Sequence, residues 1–357
     1  MRLLLAAGGT GGTVLPAIVV ARAVRTLDPA AEILFVGTAR GFEMKLVPQA
    51  GFTLELLKIG GLKRKGAAER LRNLLALPAA FIRSWRLISR FSPEAVFGTG
   101  GYASGPILLL ASLRRIRTAI LEPNSMPGFA NRVLARVVGR IYLAFEASAR
   151  RLPPRKCAFS GLPVRPEILA VPPPSFEGER RTLLIFGGSQ GARKLNDAMA
   201  EALPKLAAQK NRLYVIHQTG VQDEARIREA YARAGMPCEV RAFIDDMASA
   251  YARADLVVAR SGSSVLEVAA VGRPAILVPF PFAADDHQRL NADVVVKAGA
   301  AVVIDDADLT GERLFGEIEG LLFDRGRLKA MSRGALTLRR ERAAETIAAD
   351  LLGRKAA

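Results

Sequence analysis

Leu3-Leu-Leu-Ala-Ala-Gly-Gly-Thr-Gly-Gly-Thr13 decides the fold. The short apolar run Leu3–Ala7 reads as a buried parallel strand. Four glycines and two threonines follow it, and Pro16 to Val24 then reads as the start of a helix. Strand, glycine turn and helix N-terminus make an anion site. Glycine lets backbone N–H groups approach a ligand, and the helix end adds unpaired donors and a positive dipole. The stretch is not a Walker loop, because no Gly-Lys-Ser/Thr follows, and it departs from Gly-x-Gly-x-x-Gly. Alone it fits a tight turn in any parallel α/β protein. An echo strengthens it: Leu183-Leu-Ile-Phe-Gly-Gly-Ser-Gln-Gly-Ala192 repeats strand, glycine turn and helix start.

The chain has 357 residues, a length that suits two domains rather than one core. Half of it is hydrophobic and 24% is charged, which is globular composition. The net charge of +17 implies an anionic partner: nucleic acid, a membrane surface or a phosphorylated substrate. Only Cys157 and Cys238 occur, so neither a disulfide framework nor a Cys/His zinc spacing is available, which fits a reducing compartment. The five-residue apolar run after Arg2 is too short for a signal peptide, and no run of about eighteen apolar residues suggests a membrane span.

In chain order, Glu32–Gly37 reads as a second strand. Lys63 to Phe91 combines apolar Leu71, Leu74, Leu75, Phe81, Ile82, Trp85 and Ile88 with basic Lys63, Arg64, Lys65, Arg70, Arg72, Arg83, Arg86 and Arg90. That is the composition of a basic amphipathic element on an anionic membrane; the plainer reading is a surface helix packed on the sheet. Ala95–Gly98 and Thr118–Asn124 read as strands, the first leading into a glycine-rich turn. Ligands bind outside the carboxyl ends of strands in open parallel sheets, so these ends share an edge with Gly8–Gly12, and Glu122 and Asn124 lie there. Residues 150–180 are proline-rich and mark a domain boundary. Further strands are expected at Leu213–His217, Glu239–Ile244, Asp255–Ala259 and Pro274–Pro279, with helices from about Leu309. The expected domains are 1–160, joined by a C-terminal helix at about 338–357, and 161–337.

Arg260 to Asn291 is the richest stretch. Ser261, Gly262, Ser263 and Ser264 form a small-residue turn at a helix N-terminus, a seat for a diphosphate. Glu267, one turn into that helix, suits a ribose diol; it also suits a helix start without any ligand. His287 and Gln288 suit sugar hydroxyls. Asp285 and Asp286 lack a third ligand at metal spacing, so no metal is expected.

These residues together make the chain resemble the MurG family, the lipid-linked N-acetylglucosaminyltransferases of peptidoglycan synthesis. The family belongs to glycosyltransferase family 28 and has the GT-B fold, two Rossmann-like domains with parallel sheets facing a cleft. The motifs that carry the resemblance are Gly8–Gly12 with Pro16, Gly100–Pro106, Pro163–Arg165, Gly187–Ala192, Phe243–Met247, Arg260–Gly262 with Glu267, and Asp285–Gln288 with Asn291. The resemblance implies an inverting transfer of N-acetylglucosamine from UDP-N-acetylglucosamine to the muramoyl 4-hydroxyl of undecaprenyl-diphosphate-linked lipid I, giving lipid II. It implies no cofactor and no metal, and a peripheral place on the cytoplasmic face of the inner membrane through about 63–91; no nucleic-acid partner is expected, because no nucleic-acid motif is present and the basic residues cluster beside bulky apolar ones. The Ile244 backbone would meet uracil and Glu267 the ribose. Ser189, Ser263 and Ser264 would meet the diphosphate, and Arg165, His287 and Gln288 would face the donor. Thr10, Gly11, Gly12 and Asn124 would face the acceptor. Three positions depart from the family pattern: Thr13 and Leu121 stand where histidine is usual, and Leu162 where asparagine is. Threonine is no base near neutral pH, which leaves Glu122 as the base candidate. The alternatives are a non-catalytic UDP-sugar or lipid-binding homologue and a UDP-sugar 2-epimerase.

Overall fold

Leu3, Leu4 and Leu5 have no exposed surface, because their strand, β1 (Arg2–Ala6), is buried in the middle of a sheet. The computed structural model describes residues 1–39, 41–57, 77–101, 103–188 and 191–354. The chain divides into two compact units: Met1–Arg165 with Arg340–Ala357, and Pro166–Arg339.

In the first unit, the described strands are β1, β2 (Glu32–Gly37), β3 (Thr53–Leu56), β4 (Ala95–Gly98), β5 (Arg117–Glu122), β6 (Arg140–Leu143) and β7 (Cys157–Phe159). They pair in parallel in the order β3-β2-β1-β4-β5-β6-β7. The order reverses between β1 and β4, so their carboxyl ends flank the crevice where such sheets bind ligands. Helix α1 (Gly11–Leu27) starts five residues before the expected Pro16, which lies inside it. The hydroxyl of Thr13 donates to Thr10 O and Gly8 O, which fastens the glycines into the first helical turn. Helix α2 is Glu43–Gln49. Helices α3 (Leu77–Phe91), α4 (Ser104–Leu113) and α5 (Phe129–Leu134) pack side by side, α3 on α4 and α4 on α5.

The second unit holds β8 (Arg181–Phe186), β9 (Leu213–Gln218), β10 (Cys238–Arg241), β11 (Leu256–Ala259), β12 (Ala275–Leu277) and β13 (Ala301–Val303) among its described residues. All pairings are parallel, in the order β10-β9-β8-β11-β12-β13. Here the switch point lies between β8 and β11. Its helices are α6 (Pro166–Leu169), α7 (Arg193–Leu206), α8 (Glu224–Ala234), α9 (Met247–Arg253), α10 (Val265–Ala270), α11 (His287–Lys297), α12 (Gly311–Leu322) and α13 (Arg325–Leu336). The expected strand Glu239–Ile244 stops at Arg241, because Ile244 N–H bonds to the Gln218 side chain instead of a neighbouring strand.

The chain returns to the first unit at Arg340. Its last described helix, α14 (Ala343–Leu351), packs on α1. Arg117 donates to Leu351 O at 2.5 Å, Arg354 to Leu27 O at 2.9 Å, and the Tyr142 hydroxyl bonds to Asp350. Residues 77–91 form the expected helix with an apolar side packed into the core. Leu87 and Ile88 are buried in the core, while Ile82 and Trp85 face outward. Residues 63–76 lie outside the described residues. Among the described residues no helix is long and apolar enough to cross a membrane.

Candidate active site

In the second unit, four strand ends converge. The glycine turn after β8 reaches Gly188, and Ser189 beyond it lies outside the described residues. The turn after β11 carries Arg260–Ser264 and runs into α10, with Ser263 buried, Ser264 at the N-cap and Glu267 in the first turn. Arg260, 7% exposed, ties neighbouring strand ends together. It donates to Val278 O and Pro279 O and pairs with Asp306 at 2.6 Å. Asn291 donates to Ser261 O at 3.2 Å. Ile244 follows β10, and Asp246 caps α9 by accepting from Ser249 N. His287 and Gln288 open α11, and Gln288 Oε1 accepts from Phe280 N at 2.9 Å. His287 Nδ1 faces Ala284 O at 2.8 Å; a carbonyl can only accept, so Nδ1 carries the proton. Asp285 and Asp286 before it have φ of +54° and +52°, a left-handed backbone that non-glycine residues enter at a cost. Thus Ile244, Ser263, Ser264, Glu267, His287 and Gln288 share one carboxyl edge.

His217 plays a different part. It is fully buried, with Nε2 at 3.1 Å from Asn196 Oδ1 and Nδ1 at 3.2 Å from the Tyr231 hydroxyl. The Asn196 amide nitrogen already donates to Thr219 O and Asp223, so its oxygen faces the ring and Nε2–H must donate. Burial pulls the His217 pKa down to about 3, leaving a neutral strut.

The edge of the first unit contains Thr10, Gly11, Gly12, Thr13, Glu122 and Asn124. Gly101, at φ +84°, lies so close to the first turn that a Cβ there would meet Gly8 O at 2.6 Å. Glu122 is 1% exposed. Its Oε1 accepts from Asn124 N at 3.0 Å and Asn124 Nδ2 at 3.4 Å. Its Oε2 accepts from Gly128 N at 3.0 Å and Asn131 Nδ2 at 2.9 Å. Burial pushes its pKa up to about 7, opposed by those hydrogen bonds. Arg165 is the last residue of this unit before the division.

Three supports were missed in the sequence: Glu43, Asn131 and Gln218. Glu43 is 0% exposed and accepts from Gly9 N, Thr38 N and Thr38 Oγ1 at 2.8–2.9 Å. A Cβ at Gly8, Gly37 or Gly41 would come within 2.7, 2.5 or 1.9 Å of its side chain. That glycine spacing around one acidic residue is the signal that could have revealed it. Among the described residues no group of three or more His, Cys, Asp and Glu side chains could share a metal ion.

Residues 3–143 match the glycosyltransferase family 28 N-terminal domain, and residues 182–347 match the family's C-terminal domain. The chain belongs to glycosyltransferase family 28. As a member of that family it is a glycosyltransferase. It is similar, at 48% identity over 98% of this chain and 91% of the relative, to the UDP-N-acetylglucosamine–N-acetylmuramyl-(pentapeptide) pyrophosphoryl-undecaprenol N-acetylglucosamine transferase of Anaeromyxobacter dehalogenans (strain 2CP-C). It also resembles the crystal structure of Acinetobacter baumannii MurG, with a TM-score of 0.77, 29% identity and 99% of each chain covered. The UDP-GlcNAc 2-epimerase of Neisseria meningitidis aligns with a TM-score of 0.68 over 99% of this chain and 100% of its own, at 13% identity. That likeness shows the shared fold alone, so the epimerase alternative gains no support from it.

Proposed function

We propose that this glycosyltransferase moves N-acetylglucosamine from UDP-N-acetylglucosamine to the muramoyl 4-hydroxyl of an undecaprenyl-diphosphate-linked acceptor, with inversion, in peptidoglycan synthesis. The observation that carries this reading is the near full-length identity to a relative named for that reaction. The donor would occupy the second unit. The Ile244 backbone would read uracil and Glu267 would hold the ribose. The turns at Gly188–Ser189 and Ser263–Ser264 would seat the diphosphate with backbone and hydroxyl donors. Gln288, His287 and Arg165 would face the sugar and leaving group. Thr10, Gly11, Gly12 and Asn124 would face the acceptor. Glu122 is the base candidate, with a proton affinity near neutrality, and Thr13 would act as a turn fastener.

The test is incubation of purified protein with radiolabelled UDP-N-acetylglucosamine and a lipid I analogue. Labelled disaccharide lipid is expected only when both substrates are present. Tight UDP binding without product would favour the non-catalytic reading, and label converted to a 2-epimer without acceptor would favour the epimerase.

The first unit supports a place on an anionic membrane. Ile82 and Trp85 on α3, Leu113 on α4, and Phe129 and Val133 on α5 are exposed large apolar side chains. Arg83, Arg86, Arg114 and Arg132 stand among them, and the Arg114 guanidinium lies 5.0 Å from the Trp85 ring centre. Apolar insertion and basic attraction act together at such a face, and the cytoplasmic leaflet supplies both lipid tails and anionic headgroups. Trp85→Glu with Phe129→Glu is expected to lower partitioning onto phosphatidylglycerol-containing vesicles by about tenfold or more, measured by cosedimentation. Undiminished partitioning would remove this face from membrane contact.

A further inference from the structure

Gln218 ends β9 and is 4% exposed. Its side-chain amide bridges two segments remote in sequence. Nε2 donates to Gly188 O at 2.9 Å, and Ile244 N–H donates to Oε1 at 2.9 Å. A carbonyl can only accept and a backbone N–H can only donate, so a flipped amide would lose both bonds. Gly188 O also accepts from Gly191 N at 3.1 Å. Gly191, at φ +76°, lies against the exit of β9, where a Cβ would meet Thr219 O at 2.2 Å. That exit is rigidly held: Asn196 donates to Thr219 O, while Thr219 N and Gly220 N bond to Arg241 O and Ala242 O. Gln218 therefore stands on a fixed strand end and reaches both a glycine turn and the loop after β10.

We infer that Gln218 is a positioning residue that sets base specificity: it aims the Ile244 N–H at the nucleobase and ties that reading edge to the turn that seats the diphosphate. The inference rests on the donor-site reading proposed above. Uracil presents a carbonyl acceptor at C4 beside an N3–H donor, whereas cytosine presents an amino donor beside an N3 acceptor. A backbone N–H held in one direction thus favours uracil and leaves cytosine's amino group facing a donor, and a buried mismatch of that kind is costly. In the ligand-free protein Gln218 Oε1 occupies the acceptor role that a base carbonyl can take. The bond to Gly188 O keeps the amide, and with it the N–H, in register with the diphosphate turn.

The experiment is calorimetric titration of the full chain with UDP, CDP and uridine, on wild type, Gln218→Met and Gln218→Glu. Methionine keeps the length and removes both bonds. Glutamate keeps an acceptor towards Ile244 N and sets its other oxygen against Gly188 O. Wild type is expected to prefer UDP to CDP. In Gln218→Met that preference falls about tenfold, and KM for the UDP-sugar rises more than kcat falls, with the acceptor KM unmoved. In Gln218→Glu the preference for UDP over CDP is kept, while the advantage of UDP over uridine shrinks. An unchanged UDP-to-CDP ratio in Gln218→Met overturns the inference, even if both ligands bind more weakly or the melting temperature drops. If the methionine variant does not fold, glutamate decides: loss of the UDP-to-CDP preference there, or an unaltered UDP-to-uridine advantage, overturns it. Wild type without a preference for UDP would instead sink the donor-site reading itself.

Discussion

Glu122→Gln is expected to lower N-acetylglucosamine transfer by about a hundredfold or more, while Thr13→Ala lowers it by less than about tenfold. The Thr13 hydroxyl only fastens its own turn, through Gly8 O and Thr10 O. Glu122 combines two properties. Burial holds its pKa at about 7, near the working pH of a general base, and its two oxygens organise the loop through Asn124, Gly128 and Asn131. Glutamine has one acceptor oxygen, so its amino group would face donors, at about 1–3 kcal/mol for each one left unpaired. Two pH measurements separate the roles. A base gives an acidic limb in kcat near pH 7 that the glutamine variant lacks. The stability effect has a definite sign, because the folded pKa is raised from 4.5 to about 7. Below pH 4.5 the carboxyl is neutral in both states and its contribution is fully present; that contribution is lost as pH rises through about 7. Relative to Glu122→Gln, wild type should lose melting temperature over that window and then level off. Equal, mild effects of Glu122→Gln and Thr13→Ala on transfer would remove Glu122 from the base role.

What was legible in the sequence followed patterns that repeat locally. Continuous apolar runs such as Leu3–Ala7 and Leu183–Phe186 marked buried parallel strands, and the glycines after them marked both switch points. Boundaries were less legible. Helix α1 begins at Gly11 because the Thr13 hydroxyl closes the first turn, and β10 ends at Arg241 because a side chain captures Ile244 N–H. The supports of the site were barely legible, Glu43 alone leaving a trace in the glycines around it. Glu43, Asn131 and Gln218 are single polar residues whose partners are backbone atoms or side chains on other segments, and no periodicity announces such a bond. His217 gave the same difficulty. In sequence it is only the last residue of the expected strand Leu213–His217, and the structure buries it as a neutral link between Asn196 and Tyr231.

Glu43→Ala should destabilise the first unit by about 4 kcal/mol, and Glu43→Gln by about half of that. Three donors, Gly9 N, Thr38 N and Thr38 Oγ1, lose their acceptor in the alanine variant, whereas glutamine keeps one oxygen. The glycines around the carboxylate give a sharper test than stability alone. Gly41 has no left-handed backbone, and the nearest obstacles to a Cβ there are all Glu43 atoms, Oε2 first at 1.9 Å. Gly41→Ala must therefore push the carboxylate off Gly9 and Thr38. Once Glu43 is alanine, that obstacle is gone. The double variant should be more stable than the sum of the single effects predicts, by about 1–3 kcal/mol, as measured by denaturant unfolding. Because Glu43 acts through the first glycine turn, milder variants such as Glu43→Gln should raise the acceptor KM and leave UDP affinity in the second unit unmoved. Strict additivity with Gly41→Ala, or a loss of UDP affinity equal to the acceptor effect, would show that the buried carboxylate does not set the acceptor-side turn.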